Sequence, residues 1–139
     1  FSLLLAFALS ANLFPPSLIP QPKSYTLDDP DDTFSLPKRP LFLMTNRRGA
    51  VDVVNYFARI VRVSTGYPLT INDTVQTKGI ILKIDSSVAA EGYKLQVKSA
   101  SVTITACDSR GFFYGLQTFL QLLPVEIYSK RTQQNVEWE

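Results

Sequence analysis

The sequence predicts one two-layer α+β domain, in which two helices pack on one face of a mostly antiparallel sheet. Two segments carry apolar residues at the spacing of an amphipathic helix, and three segments between them alternate apolar with polar side chains. The length of 139 residues suits one domain, and a hydrophobic fraction of 45% is enough for a core. We expect two helices and five to seven strands.

The first helix is predicted over residues 49–64, after a short strand at 41–45. Its apolar stripe recurs at helical spacing and consists of Val54, Phe57, Ala58 and Val61. Gly66 and Pro68 mark the end, because glycine accepts a left-handed cap and proline cannot continue a helix. The preceding residues, 13–40, hold most of the nine prolines and predict only short extended pieces.

The strands are predicted at Gly79–Asp85, Tyr93–Lys98 and Val102–Ala106, where apolar side chains occupy alternate positions. The link between the last two strands, Ser99-Ala100-Ser101, is short, so we expect these strands to form an antiparallel hairpin.

The second helix begins after Asp108 or Ser109, either of which can cap it, and ends at Pro124. Gly115 lies within this helix, which predicts a close approach of its backbone to the sheet. Three residues lie off the main apolar stripe: Phe113, Tyr114 and Gln117. A helix that is apolar beyond one face needs a second partner, so the sequence predicts a missing layer.

Composition excludes several kinds of chemistry. The chain has no histidine, which removes Ser-His and Cys-His nucleophilic pairs and the commonest zinc sites. Its one cysteine, Cys107, cannot form an internal disulfide and is interpreted as a buried, inert thiol. The net charge of +2, without a basic cluster, argues against nucleic-acid binding. Neither a Walker loop nor a dinucleotide fingerprint is present, so no cofactor is expected.

The carboxylates do not form the facing pair that a glycosidase needs. Six candidates are interpreted as helix caps or turns: Asp52, Asp73, Asp85, Glu91, Asp108 and Glu126. The run from Asp28 to Asp32 lacks the spacing and the glycine of a calcium loop and is interpreted as a solvated turn. We therefore predict no catalytic, cofactor-binding or metal-binding residue in this chain.

Aromatic residues leave one alternative open, a sugar-stacking surface. Six of them could supply it: Tyr67, Tyr93, Phe112, Phe113, Tyr114 and Trp138. Packing in the core or against another domain is the interpretation that we prefer.

The first residues, FSLLLAFALSAN, resemble the apolar region of a secretory signal with a small-residue cleavage site. A buried terminal strand or helix is the alternative. The run is too short to span a bilayer, so no membrane span is expected. Asn72-Asp73-Thr74 matches the N-glycosylation triplet, which matters only in a eukaryotic secretory route.

Four segments carry a resemblance to a known family: LIPQPKSYTL, STGYPLTI, EGYKLQVKSASVTITACDSRGFFYGLQTFLQLLP and VEI. In this order they resemble the N-terminal domain of glycoside hydrolase family 20, the exo-acting β-N-acetylhexosaminidases. The likeness covers roughly residues 17–128 and is most specific from Glu91 to Pro124.

The resemblance implies a zincin-like α+β domain whose helices lie between its sheet and a following (β/α)8 barrel. In that family an Asp-Glu pair of the barrel assists attack by the substrate's own 2-acetamido group. This chain contains no Asp-Glu dipeptide, so none of those roles falls on a residue here, and the segment alone is predicted to be inactive. The implied partners are the chain's own barrel and the parent enzyme's glycan substrate.

The domain boundaries that follow are residues 1–12 for the signal-like remnant, 13–126 for the α+β domain and 127–139 for the start of a linker. The style of the last residues resembles bacterial sequences, so the parent enzyme is expected to be secreted or periplasmic, or lysosomal if eukaryotic. Two alternatives remain: a stand-alone carbohydrate-binding or interaction module, and the same domain from another glycosidase family, O-GlcNAcase-like or α-glucuronidase-like.

Overall fold

A computed structural model describes residues 17–26, 32–39, 42–44, 48–72, 74 and 77–139. It confirms the α+β class, with two α-helices and a small mixed sheet packed together. The strands are β1 Phe42–Met44, β2 Thr70–Asn72, β3 Gly79–Ile84, β4 Tyr93–Lys98 and β5 Ser101–Ala106, and the helices are α1 Val51–Thr65 and α2 Ser109–Leu122. Two short 3-10 helices cover Arg48–Ala50 and Val125–Tyr128.

The sheet has the order β2-β1-β3-β5-β4, and its pairing corrects the expectation of a mostly antiparallel sheet. Three of the four strand pairs are parallel, and only the β4–β5 hairpin is antiparallel, as its short link predicts. One reason is that α1 carries the chain from β1 back to β2, and a helical crossover joins parallel strands. The other is that β5 inserts between β3 and β4. Alternation of apolar and polar residues predicts that a segment is a strand, but it does not predict which strand lies beside it.

Helix α1 begins and ends close to the predicted residues. Asp52 lies in its first turn, where a negative charge is favourable. The chain leaves the helix at Gly66, whose φ of 71° is left-handed and whose N–H donates to the Arg62 carbonyl at 3.0 Å. The predicted glycine stop is therefore confirmed.

Helix α2 is capped by Asp108, whose carboxylate accepts a hydrogen bond from the Gly111 N–H at 2.8 Å. The predicted close approach at Gly115 is also confirmed. A Cβ added to Gly115 would lie 2.5 Å from the Cγ2 atom of Ile104 in β5. The absence of that Cβ lets α2 lie directly on the sheet.

One core fills the space between the helices and the inner face of the sheet. Alternate residues of β3 and β5 are buried there, together with the predicted stripes of both helices: Ile80, Leu82, Val102, Ile104, Ala106, Val54, Phe57, Ala58, Val61, Phe112, Leu116, Phe119 and Leu120. Of the earlier proline-rich segment, Phe34 and Leu36 join this core. The helices therefore cover one face of the sheet, as expected.

The last residues of the chain pack back onto the domain. Ile127 and Trp138 are buried in the core. The Gln133 N–H donates to the Ser64 carbonyl at the end of α1, and the Leu36 N–H donates to the Trp138 carbonyl, each at 2.8 Å. The boundary predicted after residue 126 thus falls within a packed part of the chain.

Replacing Tyr93 with phenylalanine tests a polar contact between α2 and β4. The Tyr93 hydroxyl lies 2.6 Å from the Oγ1 atom of Thr118, a buried residue. Removing that hydroxyl is expected to lower the free energy of unfolding in urea by about 1 kcal/mol, because a buried hydroxyl loses its partner. Adding Thr118→Val also removes the Thr118 hydroxyl, which has lost its hydrogen-bond partner in Tyr93→Phe. The double variant should therefore be no less stable than Tyr93→Phe. Additive losses from the two changes would contradict the contact.

Candidate interdomain surface

Four aromatic side chains form an exposed patch on the helix layer, which we name the aromatic face: Tyr56, Phe113, Tyr114 and Tyr128. Their exposed fractions are 41%, 38%, 46% and 50%, respectively. Tyr56 lies on α1, Phe113 and Tyr114 on α2, and Tyr128 on the following 3-10 helix. Three elements that are brought together by the fold, α1, α2 and the last 3-10 helix, therefore contribute to one aromatic surface.

The rings of the aromatic face contact one another at an angle. The centroids of Tyr56 and Phe113 lie 6.0 Å apart at 39°, and those of Phe113 and Tyr114 lie 5.7 Å apart at 70°. Stacking on a flat sugar ring needs aromatic planes that face it together. The geometry therefore fits packing against an irregular protein surface better than a sugar platform.

A cation borders the aromatic face. The guanidinium carbon of Arg59 lies 5.9 Å from the centroid of the Tyr56 ring, which is within cation–π distance. Burial raises the pKa of Tyr128 above its ordinary value of 10.0, and the nearby Tyr56 adds to the rise. The Tyr128 hydroxyl thus remains neutral at physiological pH.

Sequence reasoning found only half of this surface. It singled out Phe113 and Tyr114 because they lie off the α2 stripe, and both are exposed as expected. It missed Tyr56 and Tyr128. A signal existed for Tyr56, because Tyr56, Arg59 and Val63 follow one another at helical spacing on α1, and Val63 is also exposed.

The other candidates for a sugar-stacking surface lie elsewhere. Phe112 and Trp138 are buried in the core, with 0% and 4% exposure. Tyr67 and Tyr93 are half-buried and pack against that core. The six aromatic residues that the sequence offered do not form one platform.

Two of the predicted cap and turn carboxylates meet at the start of α2. Arg110 bridges them, with its Nη1 atom 2.6 Å from the Oε1 atom of Glu91 and its Nη2 atom 3.4 Å from the Oδ2 atom of Asp108. Asp108 also accepts from the N–H groups of Gly111 and Glu91. The Gly111 N–H contributes most to lowering the pKa of Asp108, although partial burial opposes it. Asp108 is therefore the N-cap of α2, and Arg110 joins it to Glu91 in an ion-pair network.

The cap makes stability depend on pH. Since the pKa of Asp108 is lower in the folded chain than its ordinary 3.8, the folded state is favoured above that value and loses this contribution as pH falls through the folded pKa. Asp108→Asn keeps a capping side chain but does not titrate. As pH is lowered from about 5 to about 2, we expect the free energy of unfolding in urea to fall less for Asp108→Asn than for the parent chain. Parallel losses in both proteins would contradict this assignment.

The remaining carboxylates are spread over the described surface. Asp52 and Glu126 are exposed in the first turns of α1 and of the last 3-10 helix. Asp85 accepts from the N–H and hydroxyl groups of Ser87, and these bonds, ahead of the charges of Lys94 and Lys83, lower its pKa. Asp73 lies outside the described residues. That the chain carries no catalytic residue stays a prediction.

The acidic run is described only at Asp32, whose carboxylate accepts from the Ser99 N–H at 2.5 Å. In the described part of the chain, no group of three or more Asp, Glu, Cys or His residues could hold a metal ion. Neither described α-helix has the length and hydropathy that a bilayer-spanning helix requires. The Asn72 side chain accepts from the Thr74 N–H at 2.9 Å and so closes a local turn.

Cys107 differs from the prediction of a buried thiol. It is half-buried, and its Sγ atom donates to the Ala89 carbonyl at 3.4 Å. The physical reason is that Cys107 follows the end of β5, where the chain turns toward α2 and leaves the fully covered face.

Comparisons with known proteins agree with this fold. Residues 15–136 match glycosyl hydrolase family 20, domain 2. A beta-hexosaminidase of Porphyromonas gingivalis is 29% identical over 117 residues, which are 81% of this chain and 15% of that protein.

Solved structures show the same likeness. The N-acetyl-beta-hexosaminidase of Streptomyces plicatus is similar with a TM-score of 0.66 and 33% identity, over 76% of this chain and 21% of that one. The beta-N-acetylhexosaminidase of Streptomyces coelicolor matches with a TM-score of 0.66 and 29% identity, over 76% of this chain and 22% of that one. A chitobiase of Flavobacterium johnsoniae, at 22% identity and a TM-score of 0.52, shares the fold. The chain spans less than a quarter of the length of these relatives.

Proposed function

Because the chain belongs to glycosyl hydrolase family 20, as domain 2 of that family, we propose that it is the non-catalytic N-terminal domain of a β-N-acetylhexosaminidase. Its role is to support the catalytic domain of the parent enzyme. The aromatic face is the surface through which it does so.

The exposure of the aromatic face carries this proposal. Four large aromatic side chains of the helix layer are partly exposed to solvent and are not part of the core. Covering them with a second domain removes their remaining apolar area from water, which is worth roughly 1 kcal/mol for each side chain because about half of it is already covered. The relatives are long enough to supply that domain, because this chain covers only 15–22% of them.

Catalysis then belongs to the rest of the parent enzyme. The proposed reaction is the removal of terminal N-acetylhexosamine from glycans or chitooligosaccharides, by substrate-assisted hydrolysis with retention in a (β/α)8 barrel. This assignment rests on the family and on the names of the relatives. We infer that the described carboxylates do not take part, because those of Asp108, Asp85 and Glu91 serve a cap, a turn and one ion-pair network.

The proposed location of the parent enzyme is outside the cell or in the periplasm, or the lysosome for a eukaryotic source. The apolar, signal-like start of the sequence supports this, although it lies outside the described residues.

A double variant tests the support role. Phe113→Ser with Tyr114→Ser removes the centre of the aromatic face. In the full-length enzyme we expect a fall of several degrees in melting temperature, together with loss of hexosaminidase activity on heating. In the isolated chain the same change should cost roughly 2 kcal/mol or less, because exposed side chains contribute little beyond their ring contacts.

Tyr25→Ser is the matched control, because Tyr25 is 45% exposed and lies outside the aromatic face. It should leave both proteins unchanged. Equal melting temperatures of the double variant and its parent, in the full-length enzyme, would contradict the support role. If the isolated chain instead bound chitooligosaccharides and lost them in the double variant, the face would be a sugar-binding surface.

A further inference from the structure

The outer face of the sheet, opposite the helices, carries a regular set of lysines. On β3, β5 and β4 the residues that point outward pair across the strands in two rows: Lys83, Thr105 and Lys94, and then Gly79, Ser101 and Lys98. Between these rows lies a third, which consists of Ile81, Thr103 and Gln96. We name the outward side chains of these three strands the lysine face.

The cations of the lysine face are spaced along and across the strands. Lys94 and Lys98 are four residues apart on one strand, so their Cα atoms lie about 14 Å apart. Lys83 and Lys94 flank β5, which places their Cα atoms about 9.5 Å apart. All three lysines are exposed, and none forms an ion pair within the described residues. Their charges are therefore available to a ligand.

Two carboxylates, those of Asp85 and Asp32, moderate this charge. Asp85 follows β3. After the hydrogen bonds from Ser87, the charges of Lys94 and Lys83 also lower the pKa of Asp85, so its carboxylate lies close enough to interact with both ammonium groups. Hydrogen bonds from the N–H and hydroxyl of Ser87 hold it in its turn at the end of the strand. Three ammonium groups against the carboxylates of Asp85 and Asp32 leave a net charge of +1 on and beside the face; Asp32 accepts from the Ser99 N–H, next to Lys98.

We propose that the lysine face binds an acidic polysaccharide. The lysines attract its charges, and Ser101, Thr103, Thr105 and Gln96 between them offer hydroxyl and amide groups to its sugar hydroxyls. Cations and polar groups that are spread across three strands suit an extended chain.

Two other polyanions fit less well. Binding to an anionic membrane is typical of clusters of about four to eight basic residues, and here the three strands supply three. Single-stranded nucleic acid needs aromatic side chains on which bases stack, and the outward residues of β3, β5 and β4 include none.

Binding of the full-length protein to polygalacturonate tests the proposal, with neutral dextran as the uncharged comparison. We expect binding by affinity electrophoresis at about 20 mM salt and its loss at about 300 mM, because salt screens exposed charges. Changing Lys83, Lys94 and Lys98 together to glutamine should raise Kd at least about tenfold.

The matched control changes Lys23, Lys38 and Lys130 to glutamine, three exposed lysines outside the strands. It alters net charge equally and should change Kd less than about twofold. Equal weakening by both triple variants, or no binding at low salt, would overturn the proposal. So would binding to phosphatidylserine vesicles but not to polygalacturonate. The aromatic face is untouched, so failure here leaves the support role standing.

Discussion

Replacing Phe119 with alanine is expected to lower the free energy of unfolding by about 3–5 kcal/mol, the range for a buried phenylalanine. Phe119 is 2% exposed and lies where three segments meet. Its ring contacts Phe34 at 6.2 Å in an edge-on arrangement and Phe57 of α1 at 5.9 Å. The cavity left behind would loosen α2 from both neighbours, because a close-packed core relaxes only in part.

Phe113→Ala is the matched control for this prediction, because it makes the same change in the same helix at a residue that is 38% exposed. In the isolated chain it should cost about 1.5 kcal/mol or less, mainly the loss of its ring contacts. Urea unfolding measures both variants. Equal losses would show that Phe119 is not in the core.

Gly111→Ala is expected to cost about 2–3 kcal/mol, the upper part of the range for overpacking. A Cβ at this position would collide with the Gly92 carbonyl oxygen and lie 2.8 Å from the Cβ atom of Ala106. A carbonyl of the backbone cannot move aside as a flexible side chain can. The clash would push the start of α2 away from the sheet and disturb the Asp108 cap, which bonds to the Gly111 N–H.

Gly49→Ala separates the clash from the general effect of adding a methyl group. A Cβ at Gly49 would meet no atom within 4 Å. This variant should be as stable as the parent chain or slightly more stable, since alanine restricts the unfolded state. A Gly111→Ala variant that unfolds at the same urea concentration as Gly49→Ala would contradict the close approach.

Local signals in the sequence predicted the elements well. The end of α1 at Gly66, the cap at Asp108 and the limits of β4 all depend on residues within a few positions. Strand β2 was missed because its three residues, Thr70–Asn72, are too few for alternation to show. The order of the strands could not be predicted for another reason. Strand β5 pairs with both β3 and β4, and packing across the whole sheet determines which strands become neighbours.

The aromatic face shows the same limit. Phe113 and Tyr114 could be found because they depart from the stripe of one helix. Tyr128 lies beyond Pro124, on another element, and only the tertiary fold brings it near Tyr56. The meeting of Glu91 with Asp108 around Arg110 was likewise not predicted, because it joins the turn before β4 to the start of α2.

Hydroxyl-radical footprinting of the aromatic face tests the support role most directly. The oxidation rates of Tyr56, Tyr114 and Tyr128 would be compared between the isolated chain and the full-length enzyme, with the exposed Tyr25 as the internal reference. Our account predicts that the three tyrosines react in the isolated chain and are protected in the full-length enzyme, while Tyr25 reacts in both. Equal reactivity of the three tyrosines in the two proteins would contradict it.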